Sequence, residues 1–256
     1  MPLLKQNNSK IYYEVVGEGE TIVFTHGASW DHAQWEPQIR YFSKGYQTIA
    51  WDVRGHGKST LPAGKVDSND FSKDLITLLD HLDVEKAHLC GLSMGGHISL
   101  QTAARYPERV SSLILIGTPF TNTFNRFEKF FMPINRLSNR FISMKTLGKW
   151  QGRALSKFNS NNKQYIEEVV SRMPHEVWLR LWDTISRMES EQQLQNIECP
   201  TLIMQGENDT MISRQQEVMH DKIKNSELKI IKQAHHATNL DQPEEVNRYM
   251  HDFIKK

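Results

Sequence analysis

The sequence is short of every feature that would place it quickly. Its 31 lysines and arginines nearly cancel 30 aspartates and glutamates, leaving +1. No global field is therefore available to recruit nucleic acid or an anionic membrane. No apolar run reaches the roughly 18 residues of a membrane span, and the opening MPLLKQNNSKIYYE lacks the long apolar stretch of a secretory leader. Cysteine is scarce: Cys90 and Cys199 each sit in or beside an apolar run, which suits two reduced, buried thiols better than a disulfide framework. Eleven histidines include no H-E-x-x-H helix and no Cys/His finger spacing. Internal repeats and low-complexity tracts are missing as well. These absences lead us to expect a cytoplasmic protein with no metal, cofactor, nucleic-acid or membrane partner; they leave the oligomeric state open.

What is present is an ordinary globular composition, 38% hydrophobic and 24% charged over 256 residues, long enough for one large core. Short β-rich runs recur at 21–27, 46–52, 87–93, 112–118, 201–207 and 228–232. Several are apolar at consecutive positions, as in strands buried on both faces of a parallel sheet. Helical spacing links Phe71, Leu75, Leu78, Leu79 and Leu82, and again Val246, Tyr249, Met250, Phe253 and Ile254. Asp241-Gln-Pro-Glu reads as the N-cap of that last helix. Alternating strands and helices predict an α/β fold, a mostly parallel central sheet with helices on both faces.

One interval breaks the alternation. Residues 120–197 carry helical patterns and no convincing strand, predicting an inserted helical cap between core segments 1–119 and 198–256. Residues 121–197 hold twelve Lys/Arg and seven Asp/Glu, a local +5, and the rest of the chain is left at −4. A solvated basic helix face or an anion-steering mouth would each account for that excess. Phe120, Phe124, Phe127 and Phe131 recur at helical spacing, a stripe expected to pack a helix onto its neighbour or to roof a cleft.

Two motifs compete for the chemistry. WDVRGHGKST ends like a phosphate-binding loop, but the first glycine of G-x-x-x-x-G-K-[ST] would fall on Asp52, a carboxylate facing the phosphates. The long helix such a loop requires does not begin at Ser59, because a Pro/Gly-containing linker follows. GLSMGG, 91–96, fits its context better. It closes an apolar strand run and opens a helical stretch, so Ser93 would sit on a tight strand-to-helix turn whose flanking glycines remove clashing Cβ atoms. The helix N-terminus behind it favours developing negative charge. Downstream, Asp209 follows the 201–207 strand, and His235 and His236 follow 228–232. Serine, acid, histidine is the chain order of a nucleophile-elbow hydrolase.

Together, HGAS (26–29), DVRGHGKS (52–59), GLSMGG (91–96), YPERV (106–110), GENDT (206–210) and HATNLDQPEEV (236–246) resemble the α/β-hydrolase superfamily, in its branch with a small helical cap. The likeness spans the core and is weak across 120–197. It implies that DVRGHGKS is structural, shaping the turn after a sheet strand. It implies a catalytic triad of Ser93 as nucleophile, His236 as general base and Asp209 as the acid orienting it. The family pattern places its histidine seven residues before the proline of the final helix, which selects His236 over His235; His235 stands where glycine is usual. Glu207 reads as a solvated loop acid, and the family's other acid position, after 112–118, holds Thr118 and Pro119. An oxyanion hole of the Ala28 and Met94 N–H groups is implied, with Trp30, Phe120 and Phe124 as candidate pocket walls. His26 is expected to hold its loop, and His97 to pack beneath the cap. The implied activity is hydrolysis of a small to medium, mainly apolar carboxylic ester or lactone. Relatives with the same triad cleave C–C bonds or thioesters, act as haloperoxidase-like perhydrolases, or bind ligands as signalling receptors.

Overall fold

A computed structural model describes residues 2–6, 9–212 and 214–256. Eight strands form one sheet: β1 (Leu3–Gln6), β2 (Ser9–Val16), β3 (Thr21–Thr25), β4 (Gln47–Trp51), β5 (Ala87–Leu92), β6 (Val110–Ile116), β7 (Thr201–Gly206) and β8 (Ser226–Ile231). Their spatial order is β1-β2-β4-β3-β5-β6-β7-β8. The first two join antiparallel, with Tyr13 opposite Trp51, and every later neighbour is parallel. The six strands read from sequence lie where expected within two residues. β1 and β2 have no clear sequence signature, because lysine, glutamine and glutamate interrupt their apolar positions and leave the period-two pattern faint.

The helices α1 (Glu36–Phe42), α2 (Asn69–His81) and α3 (Met94–Arg105) join the strands, and α8 (Gln215–Lys222), α9 (Thr238–Asp241) and α10 (Pro243–Ile254) complete the core. α2 turns Phe71, Leu75, Leu78 and Leu79 inward; α10 does the same with Val246, Met250 and Phe253. Each such side chain contributes roughly 1.5–3 kcal/mol of burial. Between β6 and β7 lie α4 (Arg126–Ser138), α5 (Met144–Leu155), α6 (Asn162–Arg172) and α7 (His175–Ile185). On α5, Gly148 and Gly152 leave room for Glu167 of α6, whose backbone oxygen would lie 2.8 Å from a Cβ at Gly148. No described helix is long and apolar enough to cross a membrane.

Chain order reverses at β3: β4 lies on one side and β5 on the other. Ligands of open α/β sheets bind beyond the carboxyl ends of strands at such a switch point. The loops leaving β3 and β5 carry Ala28 and Ser93.

The loop after β4 is tied inward by buried Asp52, which accepts from the His32 N–H and ring Nδ1, both at 2.8 Å, and from the Lys58 N–H at 2.7 Å. Burial opposes its charge, but the His32 bond and charge outweigh that and hold the carboxyl below its usual range. Arg54 grips Asp74 with two nitrogens and Asp70 with a third, at 2.6–2.7 Å, fastening the loop to α2. Asp52, the Arg54 guanidinium, the Lys58 N–H and the Ser59 hydroxyl, which donates to the Asp52 carbonyl, are thus all engaged internally.

Two sequence expectations are corrected. Asp241 does not cap the last helix: it ends α9, and its Oδ2 accepts from the His235 N–H at 2.8 Å. Its side chain instead closes the histidine loop on a partly buried donor, and the cap position of α10 falls one residue later, on Gln242, which makes no side-chain cap bond. Nor do the four phenylalanines form one packed stripe. α4 starts at Arg126 because Asn125 caps it, accepting from the Glu128 N–H, while Glu128 accepts from the Phe124 N–H. Phe120 and Phe124 therefore precede the helix, and Phe127 and Phe131 stack on each other at its exposed side.

Candidate active site

The site is built on the turn between β5 and α3. Ser93 takes φ 54°, ψ −116°, a conformation that costs a residue with a side chain of order 1–3 kcal/mol and persists only when its surroundings impose it. They do so on both sides. Its N–H donates to the Ile116 carbonyl at 2.9 Å, and its carbonyl accepts the His97 N–H at 3.0 Å. A Cβ on Gly91 would lie 2.3 Å from the Gly95 backbone, and one on Gly95 would lie 2.0 Å from the Thr25 carbonyl oxygen. The turn therefore closes only with glycine at both places, which is the physical content of G-x-S-x-G.

Asp209 and His236 approach from the loops that leave β7 and β8. Asp209 leaves β7 on a turn closed by its own N–H to the Gly206 carbonyl, 3.0 Å. The neighbouring Asn208 N–H donates to the Ala234 carbonyl at 2.9 Å, tying the acid's loop to the histidine's loop. His236 Nδ1 donates to Asp209 Oδ2 at 2.8 Å, and both residues are buried. The other carboxylate oxygen accepts the Met211 N–H at 2.9 Å. Glycine 117, φ 51°, leaves the space this pair fills: a Cβ there would stand 3.3 Å from both Asp209 Oδ2 and His236 Nδ1. Thr118 and Pro119 follow it, and Glu207 is exposed away from the pair. His235 has no part in this contact; burial pushes its imidazole below the usual range.

Ser93 and His236 border one cavity of about 450 Å³, which Ala28, Trp30 and Met94 also line. Met94 is the first residue of α3, where N–H groups find no acceptor one turn back. Ala28 follows β3 on a loop held by His26, whose Nδ1 donates to the Gly27 carbonyl and whose Nε2 accepts the Val53 N–H. Gln34 Oε1 accepts the Gly27 N–H on the same loop. His97, also on the lining, is buried, meets Ser190 Oγ at 2.8 Å and has its imidazole pushed down to about 3 by burial. It is a neutral wall at ordinary pH.

The roof comes from the cap. Trp178 and Trp182 stack at 5.1 Å, and their indole N–H groups donate to Asn139 and Asn135 at 2.8 and 2.9 Å. Gln151 Oε1 accepts from the Trp30 indole at 3.1 Å, joining α5 to the loop that bears Ala28. Met132, Leu147, Trp150, Ile185 and Met188 complete a mainly apolar wall with a few amides. Trp30 borders this cavity. Phe120 and Phe124 do not: Phe120 is fully buried, packs edge-to-face on Phe124 at 5.7 Å, and neither borders the cavity. The residues that do, Trp178 and Trp182 above all, carry the same apolar helical spacing as any packed face, so spacing alone could not single them out. No cluster of metal-ligating side chains occurs among the described residues.

Residues 20–243 match the family described as the alpha/beta hydrolase fold. This chain belongs to that family. The α/β-hydrolase is 28% identical over 257 residues to an (E)-2-((N-methylformamido)methylene)succinate hydrolase of Acinetobacter baylyi, covering 97% of this chain and 95% of that one. It is 24% identical over 255 residues to 3-oxoadipate enol-lactonase 2 of the same organism, covering 95% and 92%. The solved enol-lactonase from Burkholderia xenovorans LB400 superposes on the whole chain with a TM-score of 0.91 at 22% identity, each chain covered completely. The relatives of this α/β-hydrolase include enzymes that hydrolyse, and the likeness to the solved structure shows its fold.

Proposed function

We propose that the chain is a serine hydrolase that cleaves a small to medium, mainly apolar carboxylic ester or lactone through an acyl-enzyme on Ser93. The observation that carries this reading is the buried His236–Asp209 hydrogen bond bordering the same cavity as a strained serine at a helix N-terminus. With Nδ1 donating to Asp209, Nε2 is left as the basic nitrogen of the ring. It takes the Ser93 hydroxyl proton as Oγ bonds to the substrate carbonyl carbon. The carbonyl electron pair moves onto oxygen, where the Met94 and Ala28 N–H groups meet it. Collapse of this intermediate breaks the C–O bond, and the imidazolium protonates the departing alkoxide. A lactone differs only in that its alcohol stays tethered to the acyl group. Water, deprotonated by His236, then attacks the acyl carbon and releases the acid and Ser93. Asp209 holds the ring through Nδ1 and stabilises the imidazolium.

The cavity supports this substrate class. A space of about 450 Å³ lies at the lower end of small-molecule sites. Its tryptophans and methionines favour an apolar acyl or alcohol group, and Asn122 and Asn135 can hydrogen-bond one carbonyl or hydroxyl. The lactonase among the relatives agrees with an ester-type bond. Ser93→Ala is expected to cut p-nitrophenyl ester and lactone turnover by about four to six orders of magnitude. Retention of activity in that variant, with the fold intact by circular dichroism, would refute the assignment.

A further inference from the structure

The cap helix α4 faces the wrong way for a core element. Not one of its residues is buried. Its inner side, Glu128, Met132 and Asn135, borders the cavity. Its outer side collects Phe127, Phe130, Phe131, Ile134 and Leu137, spaced three and four apart on one face, with Phe127 and Phe130 69% and 74% exposed. Phe141, just past the helix, is 83% exposed. An apolar face of this size on a solvated protein marks a docking surface. A second observation says for what. Leu137 and Arg136 of the same helix border a groove of about 650 Å³ that is lined by Lys65, Arg136, Arg140, Arg180 and Arg187 against one acid, Asp183. Arg187 is paired with Asp183, and Arg180 donates to the Pro62 and Gly64 carbonyls. Lys65 and Arg140 have no acidic partner among the described residues. Burial and then the charge of Arg187 push the Arg136 guanidinium below its usual range, so an anion placed there would relieve an existing repulsion.

We propose that the outer face of α4 and the adjoining cationic groove dock the protein on an anionic lipid surface, the phenylalanines entering the acyl boundary and the groove receiving phosphate headgroups. Aromatic and aliphatic side chains on one face with arginine and lysine beside them are the composition of a helix that lies in an interface. The arrangement goes beyond the hydrolytic reading and does not depend on it, because binding is measured without turnover. It would set the cavity, one helix diameter inward, close to apolar esters dissolved in the leaflet.

The test is co-sedimentation of the full chain with vesicles of phosphatidylcholine alone or with about 30% phosphatidylglycerol. Binding is expected on the anionic vesicles and at least about tenfold weaker on the neutral ones. Phe127→Gln with Phe130→Gln should weaken binding by about tenfold or more, and Arg136→Gln with Arg140→Gln by about fivefold per charge removed. Phe127, Phe130 and Arg140 are exposed and Arg136 is half-buried, and unchanged melting of both variants is the control that glutamine is tolerated. Wild-type binding by the phenylalanine variant overturns the proposal, as does equal binding to both vesicles. Loss of binding in the arginine variant alone, matched by saturable uptake of inorganic phosphate, would make the groove a free-anion site and overturn the lipid assignment. A dimer that the phenylalanine variant dissociates, with no vesicle binding by either form, would assign the face to a second copy instead.

Discussion

Gly117→Ala probes the proposed catalytic pair without substituting either member. Two costs follow from the structure. First, φ 51° is left-handed, and a Cβ there costs about 1–2 kcal/mol. For a chain of this size that is roughly 2–4 °C of melting temperature per kcal/mol. Second, the new methyl would stand 3.3 Å from both Asp209 Oδ2 and His236 Nδ1, closer than ordinary contact, so the pair must yield by about a few tenths of an ångström. A displacement near 1 Å costs about a hundredfold in rate, so this one should cost about threefold to tenfold in kcat. KM should hardly move, because Gly117 does not border the cavity. Gly64→Ala separates the two costs: its φ is also positive, 94°, yet no heavy atom lies within 4 Å of the new Cβ. It should melt lower by a comparable amount and keep full kcat. Calorimetry and initial rates on a soluble p-nitrophenyl ester read both quantities. If Gly117→Ala keeps wild-type kcat while melting like Gly64→Ala, the pair as placed does not govern turnover. If Gly64→Ala loses as much kcat, the loss reports stability and the reasoning fails.

Further outcomes test neighbouring parts. Asp209→Asn should lower kcat about 10³–10⁴-fold with little change in substrate affinity, since the amide favours the wrong imidazole tautomer; a loss below tenfold would remove Asp209 from its role. His236→Ala should match the serine variant, whereas His235→Ala should keep turnover within about fivefold; the reverse ranking in steady-state rates would exchange the two histidines. Asp241 has its carboxyl pushed up to about 6, chiefly by burial, and its Oδ1 has no hydrogen-bond partner among the described residues. The folded state therefore keeps a proton that the unfolded state has lost, and stability falls as pH rises from about 4 to about 6, then levels. Asp241→Asn, which still accepts from the His235 N–H, should melt higher than wild type at pH 8, by about 1–2 kcal/mol after discounting for solvent screening. The advantage should vanish near pH 4, and a constant offset across that range would show that titration is not its source.

Much of the core was legible because close packing constrains it twice. The mostly apolar strands β5 and β6 are buried on both faces, and the elbow's glycines are demanded by backbones within touching distance, so residue type and structure coincide. The acid and the histidine were legible through chain order and motif likeness; their meeting at 2.8 Å depends on main-chain bonds such as Asn208 to Ala234, which leave no trace in residue type. Gly117 was passed over because nothing local distinguishes a glycine kept for distant atoms from one in any loop. The cap was least legible. Helical spacing announces an apolar face but not what that face meets, and on α4 it meets solvent. Asp241 has the spacing of a cap, yet a partly buried N–H on another loop was the stronger claimant.

The tryptophan pair above Ser93 has a practical consequence. Four of the six indoles in the chain, Trp30, Trp150, Trp178 and Trp182, face the one cavity, and three are anchored by amide oxygens. Light absorbed near 280 nm is thus gathered largely where a guest would sit. The molecule carries its own optical gauge of occupancy, so entry of a colourless ester can be followed by emission alone, without a label and before any bond is broken.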